Sequence, residues 1–267
     1  MPAKIVAVAT ETQEYPRPRG KGIYLLPNLL TTACLFSGFY AVVAAIDKHF
    51  DHAGMGIFAA MIFDTLDGRI ARLTRTESAF GKEYDSLADM LSFGVAPAIV
   101  AYQWGVVRIA EYGHHWDRFG WLACFFYVAA AALRLARFNA RPATADKRYF
   151  EGLPSPSAAA IVAAFVWFVS DWHEPGLPGL IAAFAITASA GALMVSRFSY
   201  PSFKQFDLDR RIRFVYLLLV PIAFALIAVD PPTMLLSMFG TYALSAPLLW
   251  VGRRLRRLVR AAPAGGG

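Results

Sequence analysis

Long apolar runs limit most strongly how this chain can fold. Eight runs approach or exceed the roughly 20 helical residues that cross about 30 Å of hydrocarbon. In chain order they cover residues 24–46, 53–71, 86–107, 119–136, 157–169, 177–196, 214–229 and 232–251. We therefore expect an all-α integral membrane protein, a polytopic bundle of about eight transmembrane helices, with the fifth run extending through Trp172.

Charge is scarce, and its placement predicts an orientation in the membrane. Only 17% of the residues are charged, against about 25% in soluble domains. Of the 26 Lys and Arg residues, all but Lys48, Arg108 and Arg118 lie in the terminal tails or at the ends of the even-numbered runs. The positive-inside rule then places both termini in the cytoplasm. Because the basic residues are spread loop by loop, we expect no nucleic-acid partner.

The same map divides the chain into three parts. We expect a mobile basic N-terminal tail over residues 1–22, a transmembrane domain over 23–252, and a basic C-terminal tail over 253–267. The predicted location is the cell (inner) membrane. An active site at the even-numbered connections would face the cytoplasm.

Four aspartates lie where a membrane helix should carry none. Asp64 and Asp67 are near the cytoplasmic end of the second run, and Asp85 and Asp89 are at the start of the third. Ionisable groups are costly to bury in a bilayer and mark a functional site by default. Two helices joined by a short loop are antiparallel neighbours, so the two pairs can converge.

The chemistry of these side chains indicates a metal site. Clustered carboxylates repel one another unless cations neutralise them. Oxygen ligands with no companion His or Cys favour Mg²⁺ or Mn²⁺, and four carboxylates suit two such ions. A pair of divalent ions is a recurrent device for displacement at phosphorus. The sequence therefore predicts phosphate chemistry.

Small residues lie on the same helical face as the first two aspartates. Gly68 and Ala71 would leave a groove for a flat group such as a nucleobase, and Arg72 can pair with a phosphate. Close helix packing through small residues is the structural alternative for Gly68 and Ala71.

The order and spacing of these residues carry a family resemblance. The pattern Asp64-x2-Asp67-Gly68-x2-Ala71-Arg72-x8-Gly81-x3-Asp85-x3-Asp89 matches the signature of the CDP-alcohol phosphotransferase family at every defined position. The stretches LPNLLTTACLFSGFYA, EYDSLADMLSFGVAPA, LRLARFN and GLPSPSAAA resemble the bacterial-type phosphatidylserine synthases of that family. The similarity runs from about residue 25 to about residue 160.

The resemblance implies a set of roles. Two metal ions would be held by Asp64, Asp67, Asp85 and Asp89, with Asp64 and Asp85 shared between the ions, and Asp89 would accept the proton of the attacking hydroxyl. The positions that would bind the CDP-diacylglycerol donor are Asn28, Thr31, Gly68, Ala71, Arg72, Ser78 and Gly81. Helix capping is the alternative for Asn28 and Thr31. The implied acceptor is L-serine, the products are phosphatidylserine and CMP, and the implied assembly is a homodimer.

Residues at the end of the fourth run are candidates for binding the acceptor. Arg134, Arg137 and Asn139 could bind the serine carboxylate or a lipid phosphate, although ordinary positive-inside anchoring explains the arginines equally well. In the third run, the segment from Ser92 to Pro97 could shape the acceptor pocket, although Gly94 and Pro97 could equally serve helix packing or a kink. The small-residue runs 129–132 and 158–160 could pack helices within or between subunits.

Other functions remain open at this point. The same transfer could use glycerol 3-phosphate, inositol phosphate or choline as the acceptor. From another class, the acids could bind the coupling cations of a transporter, or the chain could be a catalytically silent structural protein. The sequence shows no inverted halves or paired broken helices of the kind that transporters have, and the intact signature argues against a silent protein.

Overall fold

The computed structural model describes residues 25–108, 116–140, 149–170, 176–201 and 214–261. Over these ranges the fold is all-α apart from two three-residue strands. The elements are α1 (Leu25–Ile46), α2 (Phe50–Thr74), α3 (Ala79–Asp89), a π-helical segment (Met90–Val95), α4 (Ala96–Trp104), α5 (Trp116–Asn139), β1 (Tyr149–Glu151), α6 (Ser155–Val169), α7 (Leu177–Val195), β2 (Ser199–Pro201), α8 (Phe214–Val229) and α9 (Pro231–Ala261).

All eight apolar runs coincide with helical segments, and the described part of the chain contains four helices long and apolar enough to cross a membrane. These are Leu25–Ile46, Phe119–Asn139, Leu177–Val195 and Pro231–Gly252. The apolar helix Ser155–Val169 is shorter, and Trp172, to which we expected it to extend, lies outside the described residues. The chain is therefore an integral membrane protein.

The third run begins earlier than we predicted and is not a uniform α-helix. Helix α3 starts at Ala79, because Ser78 caps it with a hydroxyl that accepts a 3.0 Å hydrogen bond from the Gly81 N–H. Asp85 and Asp89 thus lie inside α3, Asp85 just before the apolar run and Asp89 near its start. The π-helical segment then separates α3 from α4.

Small residues allow the helices to approach closely, as is usual in membranes. A Cβ on Gly56 of α2 would lie 3.0 Å from the Ala41 Cβ of α1. Residues 158–160 of α6 are alanines with 0% exposure, so this small-residue run packs within the subunit. Gly94 lies in the π-helical segment, where an added Cβ would lie 3.4 Å from the Ala131 Cβ of α5, which supports the helix-packing interpretation of this glycine.

The two strands join the connection that follows α5 to the connection that follows α7. They pair antiparallel, with Phe150 opposite Tyr200. Gly152 follows β1 with a φ of +79°, and a side chain there would collide with the Met194 carbonyl. The Tyr200 hydroxyl donates a 2.8 Å hydrogen bond to the Ala243 carbonyl, which fixes the strands to α9.

The last candidate membrane span ends at Gly252. Beyond it, where we expect the basic C-terminal tail, α9 continues without a break to Ala261. The first part of the basic segment is therefore a helical extension of the last apolar run. The predicted N-terminal tail, residues 1–22, lies outside the described residues.

Candidate active site

Three of the four aspartates converge as the sequence predicts. Asp64 and Asp67 on α2 and Asp85 on α3 each offer a carboxylate oxygen, and these oxygens all lie within 4.8 Å of one another. The turn between the two helices spans only residues 75–78, and it brings the two helices together. Asp67 is nearly fully buried, with 4% exposure.

Asp89 joins this cluster from the last position of α3. Its carboxyl group lies close enough to Asp64 to interact with it electrostatically, and its Oδ1 atom is buried without a hydrogen-bond partner. A buried carboxylate oxygen without a partner is costly to leave in that state. The Asp89 carboxylate is therefore suited to accept a proton or a cation.

The carboxylate oxygens of these aspartates are ligands that fit a hard divalent cation. All the converging ligand atoms are carboxylate oxygens, which are the ligands that Mg²⁺ and Mn²⁺ prefer. Several acids packed at this distance repel one another in the absence of a positive charge. The buried Asp89 Oδ1 atom, which has no hydrogen-bond partner, is a further carboxylate oxygen that a cation could satisfy.

Helix α1 contributes directly to this arrangement. The Thr31 hydroxyl lies 2.7 Å from Asp67 Oδ2 and 3.1 Å from the Pro27 carbonyl. A single hydroxyl proton serves these two acceptors, so the Thr31 side chain orients Asp67. The family resemblance assigned Thr31 to the binding of CDP-diacylglycerol. The structure adds its contact with the Asp67 carboxylate.

A cavity of about 450 Å³ opens beside the acids. Asp67 and Asp85 line it, and so do all seven residues that the resemblance assigned to the donor. Those seven are Asn28, Thr31, Gly68, Ala71, Arg72, Ser78 and Gly81. Residues of α1, α2 and α3 thus line one space that is large enough for a ligand of ordinary size.

The glycines of this cavity differ in what surrounds them. A Cβ on Gly68 would meet only the Arg72 guanidinium, at 3.7 Å, so the space beside Gly68 is open toward the cavity. A Cβ on Gly81 would lie 3.1 Å from Ser78 Oγ and 3.6 Å from Asn28 Oδ1. Gly81 therefore permits the capping turn of α3 to pack against the start of α1.

Five further residues line the cavity, and our sequence analysis did not select them. They are Pro27, Thr76, Glu77, Lys82 and Phe138. Pro27 and Phe138 belong to sequence stretches that carry the family resemblance, so the resemblance could have identified them as candidate site residues. Thr76, Glu77 and Lys82 lie in or beside the turn before α3, where no spacing rule marks them.

The three candidate acceptor residues have different partners. Arg134 Nη1 donates a 3.1 Å hydrogen bond to Ser155 Oγ at the start of α6. Arg137 forms an ion pair with Glu151 of β1, and Asn139 Nδ2 donates a 2.9 Å hydrogen bond to Ser86 Oγ of α3. The end of α5 is therefore tied to α6, to β1 and to the helix that carries Asp85 and Asp89.

Comparison with known proteins identifies the family of this chain. Residues 24–196 match the family model of the CDP-alcohol phosphatidyltransferases. This match covers more than half of the chain, and the chain belongs to that family.

The chain is similar to several named relatives over at least half of its length. The chain is 36% identical over 231 residues to a CDP-diacylglycerol-serine O-phosphatidyltransferase of Helicobacter pylori, covering 86% of this chain and 92% of the relative. It is 38% identical over 148 residues to the enzyme of the same name from Saccharomyces cerevisiae, covering 50% of each chain. An archaetidylserine synthase of Methanothermobacter thermautotrophicus is 35% identical over 178 residues, covering 66% of this chain and 69% of the relative.

Proposed function

We propose that this protein transfers the phosphatidyl group of CDP-diacylglycerol to the hydroxyl of L-serine, giving phosphatidylserine and CMP. The observation that carries the proposal is the convergence of Asp64, Asp67 and Asp85 beside a cavity lined by all seven predicted donor-binding residues. The names of the relatives support serine as the acceptor, because the bacterial and yeast relatives are serine O-phosphatidyltransferases.

The reaction needs a base and a means of neutralising charge. Asp64, Asp67, Asp85 and Asp89 would hold two divalent ions, Mg²⁺ or Mn²⁺, which neutralise the pyrophosphate charge when bound. Asp89 accepts the proton of the serine hydroxyl. The serine oxygen then forms a bond to the phosphorus that bears diacylglycerol, and the bond from that phosphorus to the oxygen bridging to CMP breaks. CMP leaves with both electrons of that bond.

The residues of the cavity hold the donor in place for this attack. Gly68 and Ala71 leave room for the cytidine, and the Arg72 guanidinium pairs with a phosphate. Ser78, Gly81, Asn28 and Thr31 surround the same space. Fixing the reacting phosphorus beside the acids supplies much of the rate enhancement that is expected of such a transfer.

Arg134 is the better of the two arginine candidates for the serine carboxylate. Arg137 is already ion-paired with the carboxylate of Glu151, which reduces its capacity to hold a second anion. Arg134 is half-buried, and a hydrogen bond to a carboxylate is stronger there than at the exposed surface. Asn139 contacts Ser86, three residues before Asp89, and we assign it to positioning α5 against α3.

The membrane arrangement follows from the charge distribution. We propose eight transmembrane helices within residues 23–252 and N- and C-terminal tails in the cytoplasm. We propose further that the protein lies in the inner membrane, with its active site on the cytoplasmic side. The basic residues at the even-numbered connections support this orientation. A site at the membrane edge would admit a lipid donor from the bilayer and a dissolved acceptor from the cytoplasm. The family resemblance supports a homodimer.

Release of CMP by the purified protein tests the proposal. Micelles containing CDP-diacylglycerol and either Mg²⁺ or Mn²⁺ would receive serine, glycerol 3-phosphate, inositol phosphate or choline in separate reactions. We expect release with serine and loss of that release in Asp89→Asn. Release with a different acceptor would keep the transfer and replace the acceptor, whereas folded protein that releases no CMP with any acceptor would refute the enzyme proposal and favour a transporter or a structural protein.

A further inference from the structure

The π-helical segment directly follows Asp89. The backbone stays helical through the junction, with φ −59° and ψ −44° at Asp89 and φ −58° and ψ −49° at Ala96. The Ala96 N–H donates to the Leu91 carbonyl five residues earlier. One residue more in this turn rotates the preceding helix by about 100° and shifts it by about 1.5 Å, relative to an uninterrupted α-helix. The direction of Asp85 and Asp89 relative to α4 therefore depends on this turn.

Pro97 gives a physical reason for the irregular turn. In a regular α-helix the N–H of residue 97 would donate to the Phe93 carbonyl, but proline has no N–H and its ring clashes with the carbonyl four residues earlier. The Tyr127 hydroxyl of α5 supplies the missing donor, with a 3.0 Å hydrogen bond to the Phe93 carbonyl. Tyr127 and Phe93 are both 0% exposed, so water does not replace this contact.

Helix α1 holds the opposite side of the same segment. The Ser92 hydroxyl donates a 3.1 Å hydrogen bond to the Cys34 carbonyl. A Cβ on Gly38 would lie 2.8 Å from Ser92 Cα, so the two backbones are as close as a glycine allows. The irregular turn is thus fixed between α1 and α5.

We propose that Tyr127 is a positioning residue for the acids of α3. Its hydroxyl satisfies the Phe93 carbonyl that Pro97 leaves without a donor, and this bond keeps the π-helical turn in place. The π-helical turn then directs Asp85 and Asp89 toward Asp64 and Asp67. The inference rests on the proposed function, since it concerns the metal-binding and proton-accepting roles of these acids.

Substitution of Tyr127 by Phe tests the inference, because it removes only the hydroxyl. Tyr200→Phe is a matched control: Tyr200 is also 0% exposed, and its hydroxyl also donates to a helix carbonyl, that of Ala243, at 2.8 Å. Mn²⁺ binding to the purified full chain in CDP-diacylglycerol micelles would be measured by electron paramagnetic resonance, together with Tm. Serine-dependent CMP release would give kcat and KM.

We expect Tyr127→Phe to weaken Mn²⁺ binding by roughly tenfold, the effect typical of lost support behind a metal ligand. At saturating Mn²⁺ the kcat should fall while the KM for CDP-diacylglycerol stays unchanged. Tyr200→Phe should lower Tm by a similar amount and bind Mn²⁺ like the wild type. Equal Mn²⁺ affinities for the two variants would overturn the inference and leave the proposed function intact. A wild-type protein that binds no Mn²⁺ would refute the proposed metal site and the inference together.

Pro97→Ala provides a second test that does not depend on a destabilised variant. It restores an N–H donor opposite the Phe93 carbonyl and allows a regular α-helix. If the π-helical turn only serves packing, this variant should bind Mn²⁺ normally. We expect weaker Mn²⁺ binding with an unchanged or higher Tm, and normal binding would contradict the positioning role.

Discussion

The Thr31 hydroxyl on α1 donates a 2.7 Å hydrogen bond to Asp67 Oδ2 on α2, across 36 positions of the chain. Both residues are buried, with 4% exposure each. A buried hydrogen bond to a charged group is stronger than one between neutral groups. The first helix therefore helps to fix the orientation of a proposed metal ligand on the second.

Replacement of Thr31 by Val should weaken metal binding. Valine keeps the β-branched shape and removes the hydroxyl, so the Asp67 carboxylate loses a donor that orients it. We expect the Mg²⁺ concentration for half-maximal CMP release to rise roughly tenfold, as for other losses of a hydrogen bond behind a metal ligand. A Mg²⁺ titration of the CMP-release assay would measure this change.

Thr65→Val is the matched control for this substitution. The Thr65 hydroxyl is on α2 near the acids, but it is exposed and donates to the Met61 carbonyl of its own helix. We expect the wild-type Mg²⁺ requirement in this variant. If Thr31→Val also kept the wild-type requirement, Thr31 would have no role in orienting Asp67.

Gly68→Ala should weaken the binding of CDP-diacylglycerol without destabilising the fold. The added methyl group fits, because its nearest neighbour would be the Arg72 guanidinium at 3.7 Å, and Ala favours a helix over Gly by up to about 1 kcal/mol. The methyl group would nevertheless occupy space that we assign to the nucleotide. We expect an unchanged or higher Tm and a severalfold higher KM for CDP-diacylglycerol.

Gly240→Ala on α9 controls for the helix effect alone. A Cβ at Gly240 would have no neighbour within 4 Å, and the residue is not among those that line the cavity. We expect a similar change in Tm and no change in KM. A wild-type KM in Gly68→Ala would show that the donor does not enter the space beside Gly68.

The two arginines of α5 should differ in their effect on serine. Arg134→Lys removes the planar guanidinium and should raise the KM for serine, because lysine does not reproduce paired hydrogen bonds to a carboxylate. Arg137→Gln breaks an ion pair whose side chains are 44% and 46% exposed, and such pairs contribute about 0–1 kcal/mol. We expect a near-normal KM for serine in Arg137→Gln. Serine titrations of the CMP-release assay would measure both KM values. A raised KM in Arg137→Gln and a normal KM in Arg134→Lys would show that Arg137 binds the serine carboxylate.

The helices and the acid cluster were accessible from the sequence because both depend on local patterns. Each apolar run coincides with a helical segment, since a chain in hydrocarbon must satisfy its backbone internally. The acids converge because the turn at residues 75–78 is short. Family resemblance added Asn28 and Ser78, which lie beside the same cavity.

Other features depend on contacts that no spacing rule contains. The π-helical turn arises where Pro97, Phe93 and Tyr127 meet, and the third of these is on a different helix. The pairing of Arg137 with Glu151 depends on where β1 lies. The role of Thr31 toward Asp67 likewise depends on how α1 packs against α2.

Incorporation of labelled L-serine into extractable lipid tests the central claim most directly. The purified protein would receive CDP-diacylglycerol and serine, first with EDTA and then with excess Mg²⁺ or Mn²⁺, beside an Asp89→Asn variant of equal Tm. We predict labelled phosphatidylserine only from the wild-type protein and only with a divalent ion present. Equal incorporation in EDTA, or by Asp89→Asn, would contradict the claim that these acids drive the transfer to serine.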